Sequence, residues 1–138
     1  MAVNTQFSIA VHIVAALGYG CGGDKISANL AESVNTSPSF VRRVLSKLSK
    51  AGLVETTTGK AGACRLAKKP ERISLLDIYK AVDAPRAFAI HNYANQRNCP
   101  VSCHIKNALE NALGKTQKSM EKSLGEITLA TIISDIRK

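Results

Sequence analysis

With 138 residues, the chain can hold one domain, or a small domain with an oligomerisation element. Its 45% hydrophobic content excludes a disordered chain, and three Phe, three Tyr and no Trp leave too few rings for a platform that stacks single-stranded bases. The formal net charge is +9. Residues 36–69 hold eight Lys or Arg against Glu55 alone, a net +7 on about a quarter of the chain, which is the footprint of a polyanionic partner.

Residues 4–17 read as a helix ended by Gly18-Tyr19-Gly20. Phe7, Ala10, Val11, Val14 and Leu17 form one apolar stripe, and Ile9, Ile13 and Ala16 form another. A helix apolar on nearly all sides needs cover on both, and in so small a protein a partner chain is a natural source of the second cover. The apolar run 9–17 is too short for a transmembrane span, contains His12, and lacks the basic lead of a secretory signal. The protein is therefore expected in the cytoplasm, with no membrane contact, where thiols stay reduced. Cys21, Cys64, Cys99 and Cys103 then read as sensors, ligands or core residues and not as a disulfide framework. His12, on its apolar helix, reads as a satisfied core histidine, with a ligand role across subunits as the alternative.

Residues 21–24 form a loop. Residues 26–33 read as a short helix, followed by a turn at Val34-Asn35-Thr36 and a second helix capped by Ser37, with Pro38 at its first position. Val41, Val44, Leu45 and Leu48 give that second helix a single apolar stripe. Its other face carries Ser39, Arg42, Arg43, Ser46, Lys47 and Lys50, with no acid among them. Residues 53–57 and 63–66 read as two strands joined by Thr58-Gly59-Lys60-Ala61-Gly62, whose two glycines suit a hairpin tip. Residues 73–82 read as a helix capped by Ser74, with Leu75, Ile78 and Val82 turned inward.

Residues 83–98 show no periodicity and read as a linker with room to move. Residues 100–124 read as one long helix of about 37 Å. Ile105, Ala108, Leu109, Ala112, Leu113, Thr116 and Met120 give it an apolar seam. The core of one small domain cannot cover that seam end to end, so pairing of two chains through this helix is the simplest remedy. The alternative is packing against the first helix of the same chain. Gly125 is expected to stop the long helix, and Thr128 to cap a short last one.

These elements define a mainly α chain with a small β-hairpin wing: a winged helix-turn-helix followed by a long C-terminal dimerisation helix. Three parts follow, a DNA-binding domain over residues 1–82, a linker or sensor loop over 83–98, and a dimerisation element over 99–138. A helix fits the major groove with its N-terminal residues at base edges, where Ser39, Arg42 and Arg43 lie. Lys47 and Lys50 lie further along, at phosphate distance. Ser37 and the free N–H groups of the helix start suit a phosphate. In the wing, Thr58 and Lys60 suit the minor groove, and Arg65 a phosphate. The other reading is an adaptor that uses the same helix pair for protein contacts, with these residues as plain solvent-facing groups. No G-x-S-x-G, Walker or H-E-x-x-H motif is present, so no enzyme is expected.

The ordered set of these pieces resembles the Rrf2 family of bacterial winged-helix transcription regulators over nearly the whole chain. The set comprises residues 26–34, then Thr36-Ser37-Pro38-Ser39-Phe40-Val41-Arg42-Arg43-Val44-Leu45, then Leu48 with Ala51-Gly52-Leu53-Val54. It continues with the glycine-rich wing, Thr58-Gly59-Lys60-Ala61-Gly62-Ala63-Cys64-Arg65-Leu66-Ala67, with residues 73–82 and with Thr128-Leu129. The resemblance implies a homodimer built on the long helix, bound to palindromic double-stranded promoter DNA. It also implies signal sensing between Val82 and Ile105. The expected function is a sequence-specific regulator of transcription, a repressor.

Several members of that family hold an iron–sulfur cluster on three cysteines near the start of the long helix. This region has only Cys99 and Cys103, with His104 and His91 nearby, and so departs from the three-cysteine pattern. No cofactor is expected, and a cluster or metal on Cys99, Cys103, His104, His91 or His12 is the weaker reading. Cys99 falls at the cap of the long helix and Cys103 one turn on. Helix N-termini favour thiolate over thiol, and an exposed thiolate is an oxidation target. Two readings stand: a redox sensor at Cys99 and Cys103, or two inert cysteines in a partly buried interface. A helical pair four residues apart suits a disulfide poorly unless the first turn opens. A small ligand is a further alternative signal.

Overall fold

A computed structural model of the chain describes residues 5–19, 25–56 and 63–138. In chain order it contains α1 (Gln6–Gly18), β1 (Lys25–Ile26), α2 (Ser27–Val34), α3 (Pro38–Lys50), β2 (Val54–Thr56), β3 (Ala63–Leu66), α4 (Leu75–Ala81), α5 (Pro100–Glu126) and α6 (Leu129–Ile136), with a 3-10 turn at Pro70–Arg72. The mainly helical architecture with a small hairpin agrees with the sequence reading.

Local chemistry explains the boundaries. Ser37 caps α3 by accepting the Phe40 N–H at 3.2 Å, and Pro38 follows it. At the other end Gly52, with φ +78°, adopts the left-handed conformation. Leu53 N donates to Leu48 O and Gly52 N to Ser49 O, both at 3.0 Å, a Schellman closure that turns the chain into β2. Asn35, with φ 65°, ends α2 in the same way, and Thr36 N donates to Ala31 O at 3.0 Å. Asparagine is among the few non-glycine residues that tolerate this backbone. Ser74 and Asp77 form a reciprocal capping box at the start of α4.

The sheet has three strands in the order β1-β3-β2, all antiparallel. The two-residue β1 was not expected; it takes Lys25, which the sequence reading puts between loop and helix, and Ile26, which it puts at the start of α2. Its residues Lys25 and Ile26 pair with Cys64 and Ala63, so backbone hydrogen bonding to the wing sets its conformation, not its own pattern. The core lies between α1, α3, α4, α6 and the sheet. Ile13, Val14, Val41, Val44, Leu48 and Ile78 have no exposed surface. Cys64 points into this core, as expected of its strand position. Gly18 lies where α6 and β3 crowd α1: a Cβ there would meet Ile133 Cδ1 at 2.8 Å and Leu66 Cδ1 at 3.0 Å.

The long helix departs from expectation at its end. It runs through Gly125 to Glu126 before Ile127 terminates it. Glycine weakens a helix interior by only about 1 kcal/mol, and tertiary bonds outweigh that here. Leu75 N donates to Ile127 O at 2.9 Å and Leu129 N to Ile73 O at 2.7 Å, around a bridge between Ser74 and Thr128. Thr128 caps α6 as expected, by accepting the Thr131 N–H at 3.2 Å. The segment 83–98, without regular structure, is fastened rather than loose. Tyr79 Oη donates to Pro85 O, Ala87 N donates to Gln117 Oε1 and Tyr93 Oη donates to Ser102 O.

Leu48 has no exposed surface and anchors α3 to the core. Leu48→Ala is expected to lower stability by about 2–5 kcal/mol, read as a shift in the urea unfolding midpoint at unchanged slope.

Candidate nucleic-acid interface

The packing of α3 settles which of its faces is free. Val41, Val44, Leu45 and Leu48 are buried, so Ser39, Arg42, Arg43 and Lys50 stand on the opposite, exposed face, with Lys47 half-buried beside them. Ser37 Oγ lies 3.3 Å from Ser39 Oγ, so these hydroxyls share the helix start. Arg43 lies over the Phe40 ring, 5.3 Å from its centroid, which restrains the guanidinium while leaving its edge available. Arg42 has no such restraint. Neither end of α3 carries an acid, and Lys47 and Lys50 lie in its last turn. The helix thus presents hydroxyls and guanidinium groups in its N-terminal half and ammonium groups in its last turn.

The wing holds a counterweight. Glu55 and Arg65 face each other across β2 and β3, and Arg65 Nε donates to Glu55 Oε2 at 3.0 Å. Both side chains are exposed, so water screens the pair and a phosphate can compete for the guanidinium. The expected wing residues Thr58 and Lys60 lie outside the described residues, as does Cys21.

At the root of α5 the thiols meet the linker. Cys99 caps the helix, its Sγ accepting the Ser102 N–H at 3.4 Å. Cys103 donates its thiol to Gln96 O at 3.4 Å. Ser102 Oγ accepts from Gln96 N at 2.9 Å, so both cysteines and residues 93–97 are joined through one turn of helix. Both thiols are half-buried, so Cys99 is less open than an exposed cap.

His91 stacks on Tyr93 with ring centroids 4.9 Å apart, and His104 is exposed. His12 is also exposed and bonds Ser33 Oγ at 3.0 Å. It is therefore no core histidine: it stands on the exposed side of α1, at the edge facing α2. Among the described residues, no three His, Cys, Asp or Glu side chains converge as a metal site would require. Cys99 and Cys103 are thus the two thiols near the root of α5, without a third described donor beside them.

Two features escape sequence reasoning. One is an apolar groove of about 570 Å³ between α1, α2 and α6, lined by Val11, Ala15, Leu30, Ile132 and Ile136, with His12 at its side. The other is Gln117, 6% exposed and the one buried residue of α5. Its only sequence signal is its place in the row Leu109, Leu113, Gln117, Met120, where a polar group interrupts an apolar stripe.

A helix pair with an acid-free outer face, beside a hairpin wing, defines a winged helix-turn-helix protein of the DNA-binding class. Comparisons narrow this. Residues 3–135 match the family model for Rrf2, described as iron-dependent transcriptional regulators. YwnA of Bacillus subtilis, named as a helix-turn-helix transcriptional regulator, is 35% identical over 97% of this chain and 98% of its own. A crystal structure described as a DNA-binding protein is 34% identical, with TM-score 0.73 over 93% of this chain and 98% of that one. A regulator from Lactobacillus plantarum is 25% identical with TM-score 0.81 over 96% of this chain and 90% of that one. The chain belongs to the Rrf2 family, whose members regulate transcription and are not enzymes. Among the described residues no helix is long and apolar enough to cross a membrane.

Arg42→Ala is expected to relax base preference, with about 1–3 kcal/mol less discrimination at one position, while Lys47→Ala weakens binding to all sequences alike. Competition gel shifts with specific and random duplexes check both. Glu55→Gln should release Arg65 and tighten binding to random duplex, most clearly at low salt, where titrations of wild type and variant separate the two.

Proposed function

We propose that the protein is a homodimeric repressor that binds a palindromic operator in the cytoplasm of a bacterium. Each subunit places α3 in the major groove and its wing against the adjacent backbone. The observation that carries this reading is the state of α5. The helix spans about 40 Å, yet Gln117 is its one buried residue. Ile105, Leu109, Leu113 and Met120 are only half-covered, and Val101 is 66% exposed. The apolar groove formed by α1, α2 and α6 is open in the same chain. A seam without cover and a groove without content satisfy each other when two copies pair about a two-fold axis. A dimer places two α3 helices on one duplex, which calls for inverted half-sites. Occupation of promoter DNA by such a dimer obstructs transcription, hence the repressor assignment.

The thiols supply the proposed control. Hydrogen peroxide would oxidise Cys99 and Cys103 together. The S–S bond forms as the O–O bond breaks, and the two thiol hydrogens leave in two molecules of water. Cys103 N donates to Cys99 O at 3.1 Å, so a disulfide must open this first turn. That removes the cap on Ser102 N–H and slackens the linker bonded to Ser102. The reading needs no cluster, so protein purified without air is expected to be colourless.

Leu109→Glu should convert dimer to monomer in sedimentation analysis and abolish operator binding, because it places a charge in the proposed interface. With about four phosphate contacts per subunit, the log–log salt dependence of binding should have a slope near about −7; binding indifferent to salt is incompatible with the DNA reading. Cys99→Ser should leave basal binding intact and remove the effect of peroxide on it; an undiminished response excludes Cys99 as the sensor.

A further inference from the structure

Gln117 is buried, yet all its amide's polar atoms lie among named partners. Its Oε1 accepts the N–H of Ala87 at 3.0 Å, and its Nε2 donates to Tyr79 Oη at 3.0 Å. Tyr79 Oη in turn donates to Pro85 O, and its ring meets Phe7 edge-on with centroids 5.8 Å apart. Four segments therefore meet at the Tyr79–Gln117 pair: α1 through Phe7, α4 through Tyr79, the linker through residues 85 and 87, and α5 through Gln117. The orientation of the amide is fixed as well. A backbone N–H can only donate, so the carbonyl oxygen must face Ala87 and the nitrogen must face Tyr79.

A leucine in the same apolar row would tolerate sliding and rotation of α5 over α4. Hydrogen bonds are directional, so the glutamine permits one register. The second fixed point of α5 is its C-terminal end, where Ile127 O accepts from Leu75 N at 2.9 Å. Two points define the direction of a rod. Beyond Gln117 the helix continues to Pro100, about 25 Å at about 1.5 Å per residue. A tilt of about 8° about Gln117 moves that end by about 3.5 Å, close to the rise of one base pair.

We propose that Gln117, held by Tyr79, is a positioning residue that sets the separation of the two DNA-reading heads and thereby the half-site spacing the dimer accepts. This rests on the dimeric-operator reading above. The residue touches no DNA; it acts by fixing the angle between the winged helix-turn-helix and the arm that pairs two copies. Operator spacing is thus written at the α4–α5 contact, away from the reading helix.

The test uses full-length protein and a half-site selected by the wild type from random duplexes. Inverted copies of that half-site are separated by spacers stepped one base pair at a time, and binding is measured for wild type, Gln117→Met and Tyr79→Phe. Methionine keeps the volume and removes the hydrogen bonds; phenylalanine keeps the ring on Phe7 and removes the hydroxyl. Wild type should prefer one spacer over its neighbours by about tenfold or more, a discrimination within the range of a mismatched base pair. Both variants should remain dimeric and bind an isolated half-site within about twofold of wild type, while the spacer preference falls to about threefold or less. A wild type without spacer preference removes the dimeric-operator reading, and this proposal with it. A selective wild type with equally selective variants overturns the positioning role alone. Should Gln117→Met fail to fold, an unchanged profile for Tyr79→Phe is sufficient to overturn it.

Discussion

Two backbone hydrogen bonds join the start of α4 to the junction of α5 and α6: Leu75 N to Ile127 O at 2.9 Å and Leu129 N to Ile73 O at 2.7 Å. The arrangement of the chain depends on this join. It brings residues more than fifty positions apart in sequence onto one short ladder and closes α6 over the core, where Leu129 and Ile133 are buried. It also holds one end of α5 against the domain while the other end extends past it. Without the join, the long helix would be an appendage of undefined direction. With it, the helix is an arm whose angle is set by the same core that supports α3.

Electrostatics and packing divide the work between the two ends of the chain. The buried row Val41, Val44, Leu45 and Leu48 orients α3, and its charges follow passively onto the opposite face. Almost all the charge there is of one sign, so a polyanion gains on every contact. Glu55 is the exception, and its pairing with Arg65 tempers the wing. The C-terminal half holds less net charge, and the exposed large hydrophobic residues Phe88, Val101 and Ile136 lie in it.

Between them lies a segment with no regular structure and dense hydrogen bonding. Its backbone is tied to Tyr79 and Gln117 at one end and to Ser102 and Cys103 at the other. The thiol pair stands at one end of this segment and the buried amide at the other, both on α5.

Helix α3, its serine cap, the hairpin strands and the caps at Ser74 and Thr128 could all be read from residue order, because each depends on neighbours within a few positions. Hydrophobic period, capping hydroxyls and turn residues act locally, so their signals are local. The basic face was legible for the same reason: an apolar stripe on one side of a helix fixes where the charges point. Strand β1, the continuation of α5 through Gly125, the exposure of His12 and the pairing of Arg65 with Glu55 were not legible. Each is decided by a partner distant in sequence or by competition between a weak local preference and a tertiary bond. Gln117 shows the division most clearly. In sequence it is one polar residue in an apolar row. Only the fold brings Ala87 and Tyr79 to its two amide atoms and turns an interruption in a pattern into a fixed point.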